Sequence, residues 1–306
     1  AATPALSEYF IRFPQRAAAV IWPVIRRQVM GGMSWRRAIK ENLDRCDTYA
    51  AQLAALRRVR LECMLQIAAL DLSLRVPMQD TVRALSDLAD ACIEGGIAIS
   101  VERLRPRYGT VPLIAMADHQ SQRTDVIPFV VFALGKLGGR ELNYSSDIDL
   151  VFAYSGEGET VDTARPVDLP TYFTALAEEL TTALDKLTED GRVYRVDLRL
   201  RPHGSAGPLV HSVDQMLNYF QSEGRTWERQ AWLKAWAVGG DIALGQSLLT
   251  KLTTFIFRKY LTLDSISDMQ ALKRQIELSV AKRGESEDEV KLGRGGIRDI
   301  EFTVQF

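Results

Sequence analysis

The sequence predicts an α+β protein that is mostly helical, with a small β-rich core between two helical regions. Three observations predict this fold. Apolar residues recur at three- and four-residue steps through much of residues 1–120. Three runs rich in β-forming residues, one of them next to a glycine-rich loop, lie within residues 121–210. Helical periodicity returns over residues 211–306, so these three ranges are the predicted domains.

Composition narrows the class of protein. The 306 residues are 46% hydrophobic and 25% charged, with a formal net charge of −1, which argues against a generally cationic nucleic-acid binder. Three cysteines without paired spacing, Cys46, Cys63 and Cys92, predict buried free thiols in a reducing compartment. No apolar run approaches a membrane span, and the start does not resemble a signal peptide, so we expect a cytoplasmic protein. The last segment is apolar-periodic up to Phe306, which suggests a fragment of a longer chain.

Individual helices follow from this periodicity. Arg57–Leu74 is predicted to face a core along one side, and Thr81–Ile97 is predicted to end at Gly95-Gly96. Leu169–Leu187 carries leucines on one face. Later helices are predicted over Met216–Phe220, Trp227–Ala237, Ile242–Tyr260 and Leu261–Arg283.

The segment FVVFALGKLGGRELNYSSDIDLVFAY carries the first candidate chemistry. The segment begins and ends with apolar runs, Phe129–Leu134 and Leu150–Tyr154. Asp147 and Asp149 are two residues apart, so on a strand both carboxylates face one side. Paired carboxylates suit Mg²⁺, although exposed turn acids produce the same pattern.

A third strand, predicted over Val193–Leu200, adds three charges. Alternation puts Asp197, Arg199 and Arg201 on one face. This arrangement suits a third metal ligand beside a phosphate clamp, because guanidinium matches phosphate geometry. The alternative is a solvent-facing edge strand with a ladder of ion pairs.

The loop Gly135–Ser146 lies between the first strand and the acids. It is not a P-loop, and it lacks GxGxxG. Its backbone N–H groups and small side chains could bind phosphate, or the loop could be only a turn. The candidate phosphate-binding residues are Gly135, Lys136, Gly138, Gly139, Ser145 and Ser146.

Two further segments have open interpretations. Trp232 and Trp236, four apart, are more typical of a core than of a base-stacking platform. Lys291–Phe302 is a basic glycine loop before an acidic helical turn. Its acids suit a helix N-terminus, and Arg294 and Arg298 suit a phosphate site equally well.

Three blocks of this sequence resemble the glutamine synthetase adenylyltransferase family, whose bifunctional members add AMP to glutamine synthetase and remove it. The blocks are GKLGGRELNYSSDIDLVF, YRVDLRLRPHGSAGPLV and KLGRGGIRDIEF. The resemblance implies a nucleotidyltransferase fold of the DNA polymerase β type, with a mixed sheet flanked by helical bundles. SSDIDL and GRGGIRDIEF are similar to the first, adenylyl-removing half of family members. Asp299 stands where glutamate is commoner.

The resemblance also implies a reaction. Inorganic phosphate would attack the AMP phosphorus of an adenylyl-tyrosine on glutamine synthetase, which releases ADP. Asp147, Asp149 and Asp197 would hold Mg²⁺, with two ions expected. Implied partners are adenylylated glutamine synthetase, a PII-type signalling protein bound by the full-length enzyme, and phosphate, ADP, AMP and ATP. No nucleic acid or membrane partner is expected.

Two alternatives stay open. The same acids could instead transfer AMP from ATP to glutamine synthetase. A module that binds a nucleotide or a regulator without turning it over is the second alternative, and a missing acid would have favoured it.

Overall fold

A computed structural model of the chain describes residues 32–74, 76–111 and 127–257, together with the isolated positions 11, 12, 14, 271 and 274. In chain order the elements are α1 (Gly32–Leu43), α2 (Tyr49–Leu74), α3 (Met78–Tyr108), β1 (Phe129–Leu134), α4 (Gly135–Gly138), β2 (Ile148–Tyr154), α5 (Leu169–Asp185), β3 (Val196–Asp197), β4 (Val210–Ser212), α6 (Val213–Ser222), α7 (Thr226–Trp232), β5 (Trp236–Gly240) and α8 (Ile242–Ile256). The predicted α+β, mostly helical fold is confirmed.

The sheet is mixed, with the strand order β3-β2-β1-β5. β1 lies antiparallel to both β2 and β5. Both β3 and β4 run parallel to β2 along its other edge. β3 pairs with the start of β2 and β4 pairs with its end, so the segment before Pro202 lies beside the acids that begin β2.

Helices cover both faces of the sheet, because the central strands are apolar on both sides. All six residues of β1 are buried. Phe129, Val131 and Ala133 belong to a core shared with α1, α2, α3 and α5. Val130 and Phe132 belong to a second core formed with α6, α7 and α8. The sheet is therefore packed against helices on both faces.

α3 contradicts the prediction of a helix end at Gly95-Gly96. The helix continues to Tyr108 and ends at Gly109, which has a φ of 74°. A Cβ on Gly95 would lie 2.7 Å from Ile39 Cγ2 of α1. A Cβ on Gly96 would lie 2.8 Å from Leu180 Cδ1 of α5. These glycines let neighbouring helices approach closely, and this packing overrides their tendency to end a helix.

β5 contradicts the prediction of a helix over Trp227–Ala237. The helix ends at Trp232, whose ring is buried 5.5 Å from the Phe132 ring, as its core interpretation predicts. The chain then pairs with the edge of β1. Trp236 on this strand is 52% exposed, so the core interpretation is wrong for this residue. A strand thus lies within the region predicted to be only helical, because the open edge of β1 offers backbone hydrogen-bond partners.

Other elements match their predictions. α2, α5, α6 and α8 confirm the helices predicted at those places. Cys63 and Cys92 are buried free thiols, whereas Cys46 is partly exposed. Within the part of the chain that the structure describes, no helix is long and apolar enough to cross a membrane. The predicted helix Leu261–Arg283 and the segment Lys291–Phe302 lie outside the described residues.

Candidate functional site

The three acidic residues of the candidate site lie at one edge of the sheet. In the parallel pairing of β2 with β3, Asp149 is the direct partner of Asp197. Neighbouring residues in register point to the same face of a sheet, so these two carboxylates lie side by side. Asp147 lies just before β2, and Ile148 between the two acids is fully buried.

Arginines form ion pairs with two of the three acids, Asp197 and Asp147. The Arg199 guanidinium donates to Asp197 through Nη2 to Oδ2 at 2.5 Å and through Nε at 3.0 Å to each carboxylate oxygen. Arg195 donates through Nε to Asp147 and through Nη2 to the carbonyl of Ser145 at 3.1 Å. Asp197 and Asp147 are therefore each held in place by a guanidinium.

The electrostatics of Arg199 link all three acids. Its hydrogen bond lowers the pKa of the Asp197 carboxyl. In return Asp197 raises the pKa of Arg199, and Asp149 and Asp147 raise it further by smaller amounts. The guanidinium thus lies within the field of the three carboxylates, where its positive charge is favoured.

The strand predicted over Val193–Leu200 is much shorter than expected. β3 contains only Val196–Asp197, because the Asp197 carboxylate accepts the backbone N–H of Arg199 at 2.8 Å and turns the chain. The prediction that Asp197, Arg199 and Arg201 share one face of a strand over Val193–Leu200 is therefore wrong, because the strand ends at Asp197.

Arg201 lies in the loop that follows. Its guanidinium donates to the carbonyls of Leu198 at 2.6 Å, Pro208 at 3.0 Å and Gly207 at 3.2 Å. Burial lowers its pKa. These bonds brace the loop between residues 198 and 208, and a phosphate-binding role for Arg201 stays a prediction.

A glycine turn lies against the acids. Gly135 has a φ of 57°, and a Cβ there would lie 2.3 Å from Asp149 Oδ2. A Cβ on Gly138 would lie 2.1 Å from the carbonyl oxygen of Lys234. The N–H of Gly139 closes the turn by donating to the carbonyl of Gly135 at 3.1 Å. Only glycine fits at Gly135 and Gly138, and the Asp149 carboxylate rests on this backbone.

The polar side chains of the loop differ in whether they hydrogen-bond to other described residues. The Ser146 hydroxyl donates to Asn143 Oδ1 at 2.7 Å, and the same oxygen accepts the Ser145 N–H at 3.1 Å. Ser146 thus closes a turn. The Ser145 hydroxyl and the Lys136 ammonium make no hydrogen bond or ion pair with another described residue. The phosphate-binding roles of all three stay predictions.

Two features of the site were not predicted from the sequence. They are the contact of Arg195 with Asp147 and the hydrogen bonds that join the loop to α2 and α3. Arg195 precedes Asp197 by two residues, so strand alternation could have placed it on the same face. No sequence signal pairs the loop with the helices. The N–H of Leu142 donates to Ser86 Oγ of α3 at 3.2 Å, and Tyr144 donates to Asp71 Oδ2 of α2 at 3.0 Å.

Comparison with known proteins identifies the family. The sequence model of the family described as glutamate-ammonia ligase adenylyltransferase matches residues 1–251. The chain belongs to this family. Proteins named bifunctional glutamine synthetase adenylyltransferase/adenylyl-removing enzyme are its relatives. The Pseudomonas aeruginosa relative is 42% identical over 88% of this chain and 27% of its own length. The Pseudomonas putida relative is 38% identical over 98% of this chain and 30% of its own length.

The chain thus spans between a quarter and a third of the length of these adenylyltransferase-family relatives. A second family model, described as GlnD PII-uridylyltransferase, matches residues 270–306. Apart from two isolated positions, that range lies outside the described residues.

The acidic side chains of the candidate site offer carboxylate oxygens, the type of ligand that Mg²⁺ prefers. The described residues contain no ready-made group of three His, Cys, Asp or Glu side chains that could hold a metal ion. Asp149 and Asp197, as register partners, still offer two adjacent carboxylates. Mg²⁺ commonly takes one or two protein carboxylates and completes its shell with waters and substrate phosphates.

Proposed function

We propose that this chain removes adenylyl groups from glutamine synthetase by Mg²⁺-dependent phosphorolysis, which yields ADP and the unmodified enzyme. One observation carries the proposal. Asp149 lies beside Asp197 in register and against the Gly135 backbone, at the edge of a sheet in an adenylyltransferase-family chain. The names of the relatives include adenylyl removal.

The proposed reaction balances without a further reactant. An oxygen of inorganic phosphate attacks the AMP phosphorus, the bond from that phosphorus to the tyrosine oxygen breaks, and ADP leaves. The tyrosine oxygen takes the proton that the phosphate gives up. No oxidant or reductant is needed.

The chain's own residues have distinct proposed roles. Asp147, Asp149 and Asp197 would hold Mg²⁺, with two ions proposed, and the cations would neutralise charge on the transferring group. The turn and its loop would bind phosphate oxygens through backbone N–H groups and through Lys136 and Ser145. Candidates for the same contacts are Gly135, Gly138, Gly139, Ser146, Arg199 and Arg201.

Adenylylation from ATP is the second candidate, because the relatives' names include both activities. The SSDIDL form of the segment Ser145–Leu150 favours removal through its similarity to the first half of family members. A module that binds a nucleotide or regulator without turnover is less well supported, because all three carboxylates are present.

Partners follow from the same reasoning. Adenylylated glutamine synthetase is the proposed substrate, which would make the chain a regulator of nitrogen assimilation in the cytoplasm. The match of residues 270–306 to a PII-uridylyltransferase model supports a PII-type protein as the proposed regulator of the full-length enzyme.

Two parallel reactions test the direction. One supplies adenylylated glutamine synthetase, phosphate and Mg²⁺, and ADP release is expected. The other supplies unmodified glutamine synthetase, ATP and Mg²⁺, and no AMP transfer to tyrosine is expected. AMP transfer without ADP release would overturn the proposed direction. Activity in neither reaction, with adenylylated substrate verified, would overturn the catalytic proposal.

A further inference from the structure

The glycine turn is tied to the helical layer by one side chain. The Arg140 Nη1 donates to Asp90 Oδ2 of α3 at 2.6 Å, and its Nη2 donates to Asp87. These acids are three residues apart, so they share one face of the helix. The Arg140 side chain is 24% exposed and that of Asp90 only 8%, which places the contact in a largely enclosed position.

The backbone of Arg140 indicates that this contact holds the loop in place. Its φ is 58°, a left-handed conformation that non-glycine residues rarely adopt. Its N–H donates to the carbonyl of Leu137 at 3.0 Å, inside the turn itself. An arginine kept in this conformation needs compensation from its surroundings, and the two carboxylates of α3 provide it.

Asp90 in turn depends on Arg140. Burial raises the pKa of Asp90 to about 7, while Arg140 and, more weakly, Arg36 act in the opposite direction. Asp90 Oδ1 is buried and has no hydrogen-bond partner among the described residues. At pH 8, above this pKa, Arg140 is the main group that compensates the buried charge of Asp90.

The turn connects Arg140 to the acids. The Glu141 N–H donates to the carbonyl of Lys136 at 2.9 Å, and the Gly139 N–H donates to that of Gly135 at 3.1 Å. Gly135 lies directly against the Asp149 carboxylate. We propose that Arg140 is a positioning residue that fixes Asp149 through this turn by clamping it to Asp87 and Asp90 of α3. This assignment rests on the proposed function.

The test replaces Arg140 with glycine at pH 8 in the full chain. Glycine adopts the left-handed conformation readily, so Arg140→Gly removes the clamp without adding backbone strain. We expect turnover of adenylylated glutamine synthetase to fall about tenfold with KM within about twofold, since misplacing a catalytic group mainly lowers the rate of the chemical step. Amide hydrogen exchange in residues 135–141 should become about tenfold faster through local opening. Arg140→Lys, which keeps the charge, should recover part of both.

Two controls separate a clamp from a general structural effect. Asp162→Gly changes another left-handed residue, with a φ of 60°, whose carboxylate accepts from Thr110 at 2.6 Å in a loop away from the acids. It should leave turnover and exchange in residues 135–141 unchanged. If Arg140 acts through its two acids, adding Asp87→Asn and Asp90→Asn to Arg140→Gly should lower turnover no further.

Unchanged exchange in residues 135–141 of Arg140→Gly would overturn the inference. So would an equal effect of Asp162→Gly, or a further fall in turnover when the acid substitutions are added to Arg140→Gly. If the wild type released no ADP, the proposed function would fail, and the exchange measurement alone would still decide whether Arg140 clamps the turn.

Discussion

The glycines inside α3 and the glycines of the α4 turn resemble each other in sequence and act differently in the fold. Gly95 and Gly96 have ordinary helical conformations, and their nearest neighbours are apolar side chains of α1 and α5. Gly135 is left-handed and faces a carboxylate, and Gly138 faces a backbone carbonyl. An apolar side chain can shift to accommodate a methyl group, whereas a backbone carbonyl cannot, and a carboxylate that shifts leaves its place beside the other acid. The glycines of α3 therefore allow close helix packing, whereas those of the α4 turn determine the position of the Asp149 carboxylate in the candidate site.

Among the glycine substitutions, Gly135→Ala should have the largest effect. The added Cβ would displace Asp149 and take up a disfavoured conformation. We expect turnover to fall about a hundredfold, because a small displacement of a catalytic group can reduce the rate by that factor. The free energy of unfolding should fall by about 2 kcal/mol because of the backbone strain. ADP release and urea unfolding measure the two effects. Wild-type turnover in Gly135→Ala would remove the difference between the two glycine regions.

Gly95→Ala tests the other region. Overpacking against Ile39 costs about 1–3 kcal/mol, and the gain in helix propensity offsets about 1 kcal/mol of it. The free energy of unfolding should fall while turnover per folded molecule stays unchanged. Ala98→Gly, at an exposed position of the same helix, is the matched control, because it changes propensity without changing packing. A loss of turnover in Gly95→Ala would show that α3 packing also controls the site.

Gly158→Ala should have the smallest effect. It measures the cost of backbone strain without a steric contact. Gly158 has a φ of 117°, and no atom lies within 4 Å of an added Cβ. The expected loss in the free energy of unfolding is about 1 kcal/mol, from conformational strain alone. Thermal unfolding measures it. A loss as large as that of Gly135→Ala would show that strain, rather than contact with Asp149, explains both variants.

Local patterns predicted much of this molecule. Period-two alternation predicted that Ile148 points into the core, and helical periodicity predicted α2, α5, α6 and α8. Such features depend on the chain's own geometry, which residue spacing records.

Other features depend on contacts between distant segments. The passage of α3 through Gly95-Gly96 depends on Ile39 and Leu180, and β5 forms only because the edge of β1 is open. Arg140 reaches acids 50 and 53 residues away in sequence. No local spacing in the sequence indicates these partners, so these contacts could not be predicted from the sequence alone.

The central claim is that Asp149, set by the glycine turn beside Asp197, takes part directly in the chemistry. The most direct measurement is ADP release from adenylylated glutamine synthetase with phosphate and Mg²⁺, compared between wild type, Asp149→Asn and Asp44→Asn. Asp44 lies after α1 in an exposed ion pair with Lys40 and serves as the matched control. We predict a loss of about a thousandfold for Asp149→Asn, because the substitution removes a charge that we propose binds the cation, and no change for Asp44→Asn. Equal rates in all three proteins would contradict the account.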